Sequence, residues 1–133
     1  MNQEDVRAIE RLMSDFAWYV DRGDGESMSR LFVPDGVLCV GGVTLTGRDA
    51  IARDCERRHA TPGRKTRHLW SNLRVETVDA DNSLSTAVQI TFEHGASNGA
   101  TQVRVNDIFD RLRRTEGGGW LIEKRLIQRE IAL

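Results

Sequence analysis

The chain has 133 residues, a formal net charge of −1, 39% hydrophobic and 29% charged residues; this is the profile of a soluble globular chain with apolar mass for one core, so one domain over 1–133 is expected. The near-neutral charge gives no long-range pull toward nucleic acid or an anionic membrane, so neither is expected as a partner. No apolar run nears the ~20 residues that cross a bilayer, MNQEDVRAIE lacks the regions of a signal peptide, and Cys39 and Cys55 have neither zinc nor disulfide spacing; a cytoplasmic location and two core-filling cysteines are expected.

Val6, Ile9, Leu12, Met13, Phe16, Ala17 and Val20 recur at helical spacing, which predicts a first helix over about residues 4–22, with Asn2 and Asp5 at its start and Gly23 at its end. Asp24 then caps a short second helix carrying Met28, Leu31 and Phe32, and PDG at 34–36 breaks it. VLCVGGVTL reads as a strand bent by Gly41-Gly42. TGRD at 46–49 opens a third helix, capped by Thr46, that runs to about His59 before Pro62-Gly63. From there the period changes to that of strands, over about residues 66–78, 84–94, 101–113 and 119–131. The turns between them are DADNS at 79–83, HGASNGA at 94–100 and TEGGG at 115–119. Helices followed by an antiparallel meander make an α+β fold.

A curved sheet incompletely filled by its helices leaves a pocket on the concave face. The rule that apolar side chains face inward then predicts the lining. It takes Val88, Ile90 and Phe92 from one strand and Val103, Val105, Asp107 and Phe109 from the next, leaving Gln89, Thr91, Gln102 and Arg104 outside. Asp107 is the one carboxylate in that apolar row. It reads as a second acid–base group or as the holder of a neighbouring arginine; Arg125 is nearby in the EKR stretch, but its facing is not decided by sequence.

In TRHLWSN, residues 66–72, alternation puts His68, Trp70 and Asn72 on one face. That mixture is too polar for core and too aromatic for water, and it suits a pocket wall: Trp70 and Phe92 as wall, Asn72 as donor. Asp21 sits in the last turn of the first helix, where the macrodipole disfavours a negative charge. A histidine partner would compensate. A carboxylate on imidazole fixes the tautomer, orients the ring and stabilises the imidazolium formed when the ring takes a proton. His59 and His94 are adequately explained as a cation at a helix end and a solvated turn residue. Tyr19 carries a hydroxyl that could polarise a carbonyl.

In order along the chain, YVDRGD, LFVPDG, GRDAI, RHLWSN, NDIFDR and GGGWLIEKR resemble the SnoaL-like members of the nuclear transport factor 2-like superfamily. The resemblance implies a cystatin-like α+β barrel: a cone of curved, mixed but mostly antiparallel sheet around a pocket, closed by three helices. It also implies an Asp–His dyad of the kind used by scytalone dehydratase and hexachlorocyclohexane dehydrochlorinase, at Asp21 and His68, with Asn72 matching an asparagine of the latter. The tyrosine before the aspartate in scytalone dehydratase is Val20 here, which argues against the same substrate. The tyrosine and aspartate of ketosteroid isomerases fall at Phe16 and Val40, which argues against their mechanism.

The function this implies is a cofactor-free, metal-free lyase or isomerase, of dehydratase, dehydrohalogenase or polyketide-cyclase type, on a small hydrophobic or polyketide-like molecule. The substrate-binding residues would be Tyr19, Trp70, Asn72, Phe92, Val105 and Asp107. Two alternatives stand beside it: a limonene-type epoxide hydrolase, with Asp107 as a strand carboxylate, and a binding or assembly module without turnover. A homodimer or homotrimer through a polar outer sheet face is expected.

Overall fold

The computed structural model describes residues 1–95 and 99–133, so the turn expected over 94–100 lies partly outside the described residues. Helix α1 (Gln3–Arg22) begins where the Asn2 side chain accepts from the Asp5 amide at 2.8 Å. It ends at Gly23, whose left-handed φ of 68° turns the Gly23 and Asp24 amides onto the Val20 and Tyr19 carbonyls. A Cβ at Gly23 would also meet the His59 ring at 2.3 Å. Helix α2 (Gly25–Ser29), capped by Asp24, is shorter than its apolar residues suggest. Leu31 and Phe32 lie beyond it, because the residue before Pro34 is biased to extended backbone.

Strand β1 (Phe32–Val40) thus already contains the PDG segment, as an irregularity that steps its pairing with strand β6 (Trp120–Ala132) from Phe32–Ile122 to Val37–Lys124. Gly41 and Gly42, with φ of 59° and 78°, form a two-residue hairpin turn into strand β2 (Val43–Thr46) and not a bend in one strand. Thr46 stays paired opposite Val37, so it does not cap helix α3 (Arg48–His59), whose N-cap is Gly47 with no side-chain bond. Strands β3 (Lys65–Thr77), β4 (Asn82–His94), β5 (Thr101–Arg114) and β6 form the expected antiparallel meander. The six-stranded sheet has the order β2-β1-β6-β5-β4-β3, and among the described residues only the β1–β6 pairing is parallel. Ile9, Leu12 and Phe16 of α1 pack with Met28, Phe32, Ile51, Cys55, Leu112, Trp120 and Ile122 as the main core.

One bulge sets which residues of β4 the first half of β3 meets. Between Ser71 and Arg74 the β3–β4 register slips, and Asn72 there adopts φ 57°. This is a bulge, with two residues opposite one, and asparagine tolerates the left-handed conformation better than most residues. Counted from the Thr77–Ser83 end without the extra residue, His68 would face Phe92. With it, His68 lies opposite Thr91 and Trp70 opposite Gln89. Pairing carries that parity into β5, where Thr91 faces Arg104 and Gln89 faces Asn106. β4 alternates without a break, so Gln89 and Thr91 are buried inside with Asn106 of β5, while Phe92 and Phe109 are 39% and 42% exposed on the convex face with Val105 and Asp107. The expected lining of β4 and β5 is inverted, and the outer face is apolar, not polar.

Two buried ion pairs brace the interior. Arg125 is fully buried and grips Asp110 through two bonds of 2.8 and 2.7 Å, its guanidinium 4.3 Å from the Phe16 ring. Asp5, 7% exposed, takes Arg114 on both oxygens and the Trp120 indole N–H at 2.9 Å, joining α1 to the β5–β6 end. The hydrogen bonds from Arg114 and Trp120 hold the Asp5 carboxyl down to about 2, from its usual 3.8. A pKa lowered by folding contributes stability that is complete above the unfolded value and lost as pH falls through the folded one. The urea midpoint should therefore drop as pH falls from 3.8 toward about 2, and Asp5→Asn should flatten that drop; an unchanged slope would dismiss this anchor.

Candidate active site

The cavity on the concave face has a volume of ≈ 570 Å³. Its apolar wall comes from Phe16, Val20, Met28, Leu38, Val40 and Ile127, and its polar wall from His68, Gln89, Thr91 and Asn106. Behind His68 lies Asp21, its side chain only 4% exposed against 12% for the imidazole. Asp21 Oδ1 is 2.5 Å from His68 Nδ1, Oδ2 accepts from the His68 backbone amide at 2.9 Å, and the Thr66 hydroxyl donates to Oδ1 at 2.9 Å. The partner sought for a carboxylate in an unfavourable helix position is thus the start of β3: one side chain and two further donors.

Burial by itself would push the Asp21 carboxyl up. The hydrogen bond and charge of His68, its backbone amide and the Thr66 hydroxyl outweigh burial and hold the carboxyl below the usual range. It is therefore the ionised acceptor of a charge-assisted bond, and Nδ1 carries the proton. Among the described residues Nε2 makes no hydrogen bond, and His68 lines the cavity, so the basic nitrogen is available to a ligand.

The other expected site residues are placed elsewhere. Trp70 points inward but serves as a strut: its indole donates to Ser14 Oγ of α1 at 3.0 Å, and it packs beside Met13, Ala87 and Ile108. Tyr19 packs against the main core. Asn72 is exposed at the bulge and bonds to Ser71. Phe92, Val105 and Asp107 lie on the convex face, because β4 and β5 turn Gln89, Thr91 and Asn106 inward. Arg125 is held by Asp110, so Asp107 neither pairs with it nor supplies a cavity carboxylate.

Sequence reasoning missed Gln89, Thr91 and Asn106. Asn106 Nδ2 donates to Gln89 Oε1 at 3.3 Å, which fixes the Gln89 amide with its own N–H group free to serve as a donor. Among the described residues, no three His, Cys, Asp or Glu side chains gather as metal ligands would, and no helix is long and apolar enough to cross a membrane.

A helix-backed cone with a buried carboxylate–imidazole pair on the inner wall of its cavity is what the fold and the site define. The sequence matches the SnoaL-like domain over residues 2–126, and the chain belongs to that family. Its fold is similar to that of a candidate scytalone dehydratase from Novosphingobium aromaticivorans, at 25% identity and TM-score 0.85, covering 96% of this chain and 85% of that one. An NTF2-like protein with a cystatin-like fold from the same organism is 29% identical, with TM-score 0.77 and coverages of 93% and 80%. A type 2 hexachlorocyclohexane dehydrochlorinase is 21% identical, with TM-score 0.85 and coverages of 96% and 86%. A search of curated proteins found no match. The expected superfamily and its cone-shaped α+β architecture are borne out.

Replacing Asp21 by Asn keeps the shape and one acceptor but turns an amide donor toward the β3 donors. An unsatisfied buried group costs about 1–3 kcal/mol. Asp21→Asn should lower the unfolding free energy by about that amount at neutral pH, by urea titration. A midpoint equal to wild type would show that the pair does not tie α1 to β3.

Proposed function

We propose that the protein is a cofactor-independent lyase or isomerase acting on a small molecule with a largely apolar body, with His68 as general base and Asp21 as its orienting and charge-balancing partner. The 2.5 Å Asp21–His68 contact, with Nε2 open to the cavity, carries this reading. Nε2 takes a proton from carbon, and Asp21 stabilises the resulting imidazolium. The Gln89 amide, oriented by Asn106, donates to the substrate oxygen or leaving group on which charge develops. The imidazolium then gives the proton up: to a departing hydroxyl, to a second carbon, to the alkoxide of a ring closure, or to water when halide leaves. Elimination of water or halide, proton-shift isomerisation and cyclisation all fit this sequence. The names of the dehydratase and dehydrochlorinase neighbours agree with it. The epoxide-hydrolase alternative requires a second cavity carboxylate around an arginine, and Asp107 does not provide one.

The base can be tested before any natural substrate is known. Opening of 5-nitrobenzisoxazole needs only removal of a proton from carbon and releases a coloured phenolate. Wild type should accelerate it. His68→Ala should cut the rate by at least ~10²-fold; equal rates in the two proteins would sink the general-base assignment.

The convex sheet face is read as a self-association surface, because Phe92, Phe109, Leu126 and Ile131 are exposed there together. Sedimentation should report a homo-oligomer that Phe109→Glu shifts toward monomer. A monomeric wild type would contradict this.

A further inference from the structure

The cavity carries a charge pattern that the dyad does not use. Arg58, Arg64, Arg104 and Arg129 line it, and the same four line an adjoining depression of ≈ 330 Å³ that also takes in Arg57. Two carboxylates stand against these five cations. Asp54 is shared between Arg57 and Arg58. Glu93 is divided between Arg64, on Oε2 at 3.2 Å, and Arg104, on Oε1 at 2.6 Å. Arginine is always protonated, so this side of the cavity keeps an excess of positive charge.

The donors are also incompletely used. Arg64 spends Nε on Glu93 and Nη1 on the Arg58 carbonyl, and Arg104 spends Nη2 on Glu93 and Nη1 on Gln102. Among the described residues Arg64 Nη2 and Arg104 Nε make no hydrogen bond, and Arg129 has no ion pair. Yet the Arg64 and Arg104 side chains are only 17% exposed. Arg129 is exposed at the mouth, but the half-enclosed guanidinium groups of Arg64 and Arg104 beside the cavity fit an anion better than water. Glu93 is the positioning residue: its two oxygens fix two guanidinium groups while neutralising one.

Register gives the distance between this cluster and the base. His68 and Arg104 both lie opposite Thr91, one on each side. Their backbones are thus two strand spacings apart, roughly 10 Å. Both side chains project inward and close part of that gap. A molecule holding its anion on the arginines would present a carbon a few bonds away to His68 Nε2, with its body against Phe16, Met28 and Ile127.

We infer that the natural substrate is a small organic carboxylate: an apolar, ring-sized body whose carboxylate docks on Arg129 together with Arg64 and Arg104 while the reacting carbon faces His68. The carboxylate is chosen because the planar guanidinium fork matches it in a bidentate way and the remaining wall is apolar. The assignment rests on the cavity being the reactive site proposed above, but its test needs no turnover.

The probe is 2-naphthoate, compared with the neutral and near-isosteric 2-naphthamide, by calorimetry or amide NMR shifts. Wild type should bind the acid at least about tenfold more tightly than the amide, as charge-assisted bonds to a half-buried anion require, and added salt should erode the difference. Arg129→Gln should reduce the preference severalfold, and His68→Ala should leave it in place. The amide binding as well as the acid, or no naphthoate binding at millimolar concentration, would overturn the inference. So would a preference lost in His68→Ala and untouched in Arg129→Gln, because the imidazolium would then be the anion site. Benzisoxazole opening that ignores His68 while the naphthoate preference persists would defeat the dyad reading alone.

Discussion

The Asp21 carboxylate is the constraint on which the rest of the site depends. It is buried at the end of α1, where the helix dipole disfavours it by about 0.3–1 kcal/mol and burial by more. Three donors from the first four residues of β3 offset this, one of them from the imidazole. Hydrogen bonds to a charged group contribute about 1.5–3 kcal/mol each, so three are enough to hold an ion in place. The same bonds fix where α1 ends against the sheet and where His68 stands. Placement of the imidazole and attachment of the helix are therefore one structural fact.

The interior follows a similar logic. Asp110–Arg125 and the Arg64–Glu93–Arg104 triplet are charges inside a small domain, each held by complementary geometry. Such pairs add little net stability compared with well-packed apolar side chains. They do restrict how the sheet can slide, because a shift of one residue would separate every partner. The concave side is thus organised by polar pairing toward β3 and β4 and by apolar packing toward the helices. The convex side carries the surplus hydrophobic surface.

Much of this was readable in the residues. The α1 stripe, the Gly23 stop and the four-strand meander follow from periodicity and turn chemistry. Asp21 drew attention because a charge in the last turn needs a reason. What could not be read was the facing of β4 and β5. Apolar-in patterning fails where the inside is a polar cavity and the outside a broad apolar face. The decisive residue, Asn72, looked like a site donor because it continues the alternation of His68 and Trp70. Its left-handed backbone instead ends that alternation. A bulge leaves no signature stronger than one asparagine, and it reverses the first half of β3 against β4, so that His68 meets Thr91 and not Phe92. The arginine cluster was hidden because Arg104 belonged to the supposed outer face.

The sheet order has a kinetic consequence. β6 lies between β1 and β5, and its contacts with β1 pair residues such as Val37 and Lys124. Those pairs close a loop spanning most of the sequence, the slowest kind of contact for a chain to find. Ile127 and Arg129 reach the cavity only when β6 is in place, and Leu38 and Val40 only when β1 joins it. The helix–strand latch at Asp21 joins segments far closer in sequence and can form earlier. The chain therefore assembles its carboxylate–imidazole pair before the cavity around it exists, and a partly folded molecule would hold that pair open to water with nothing to select what reaches it.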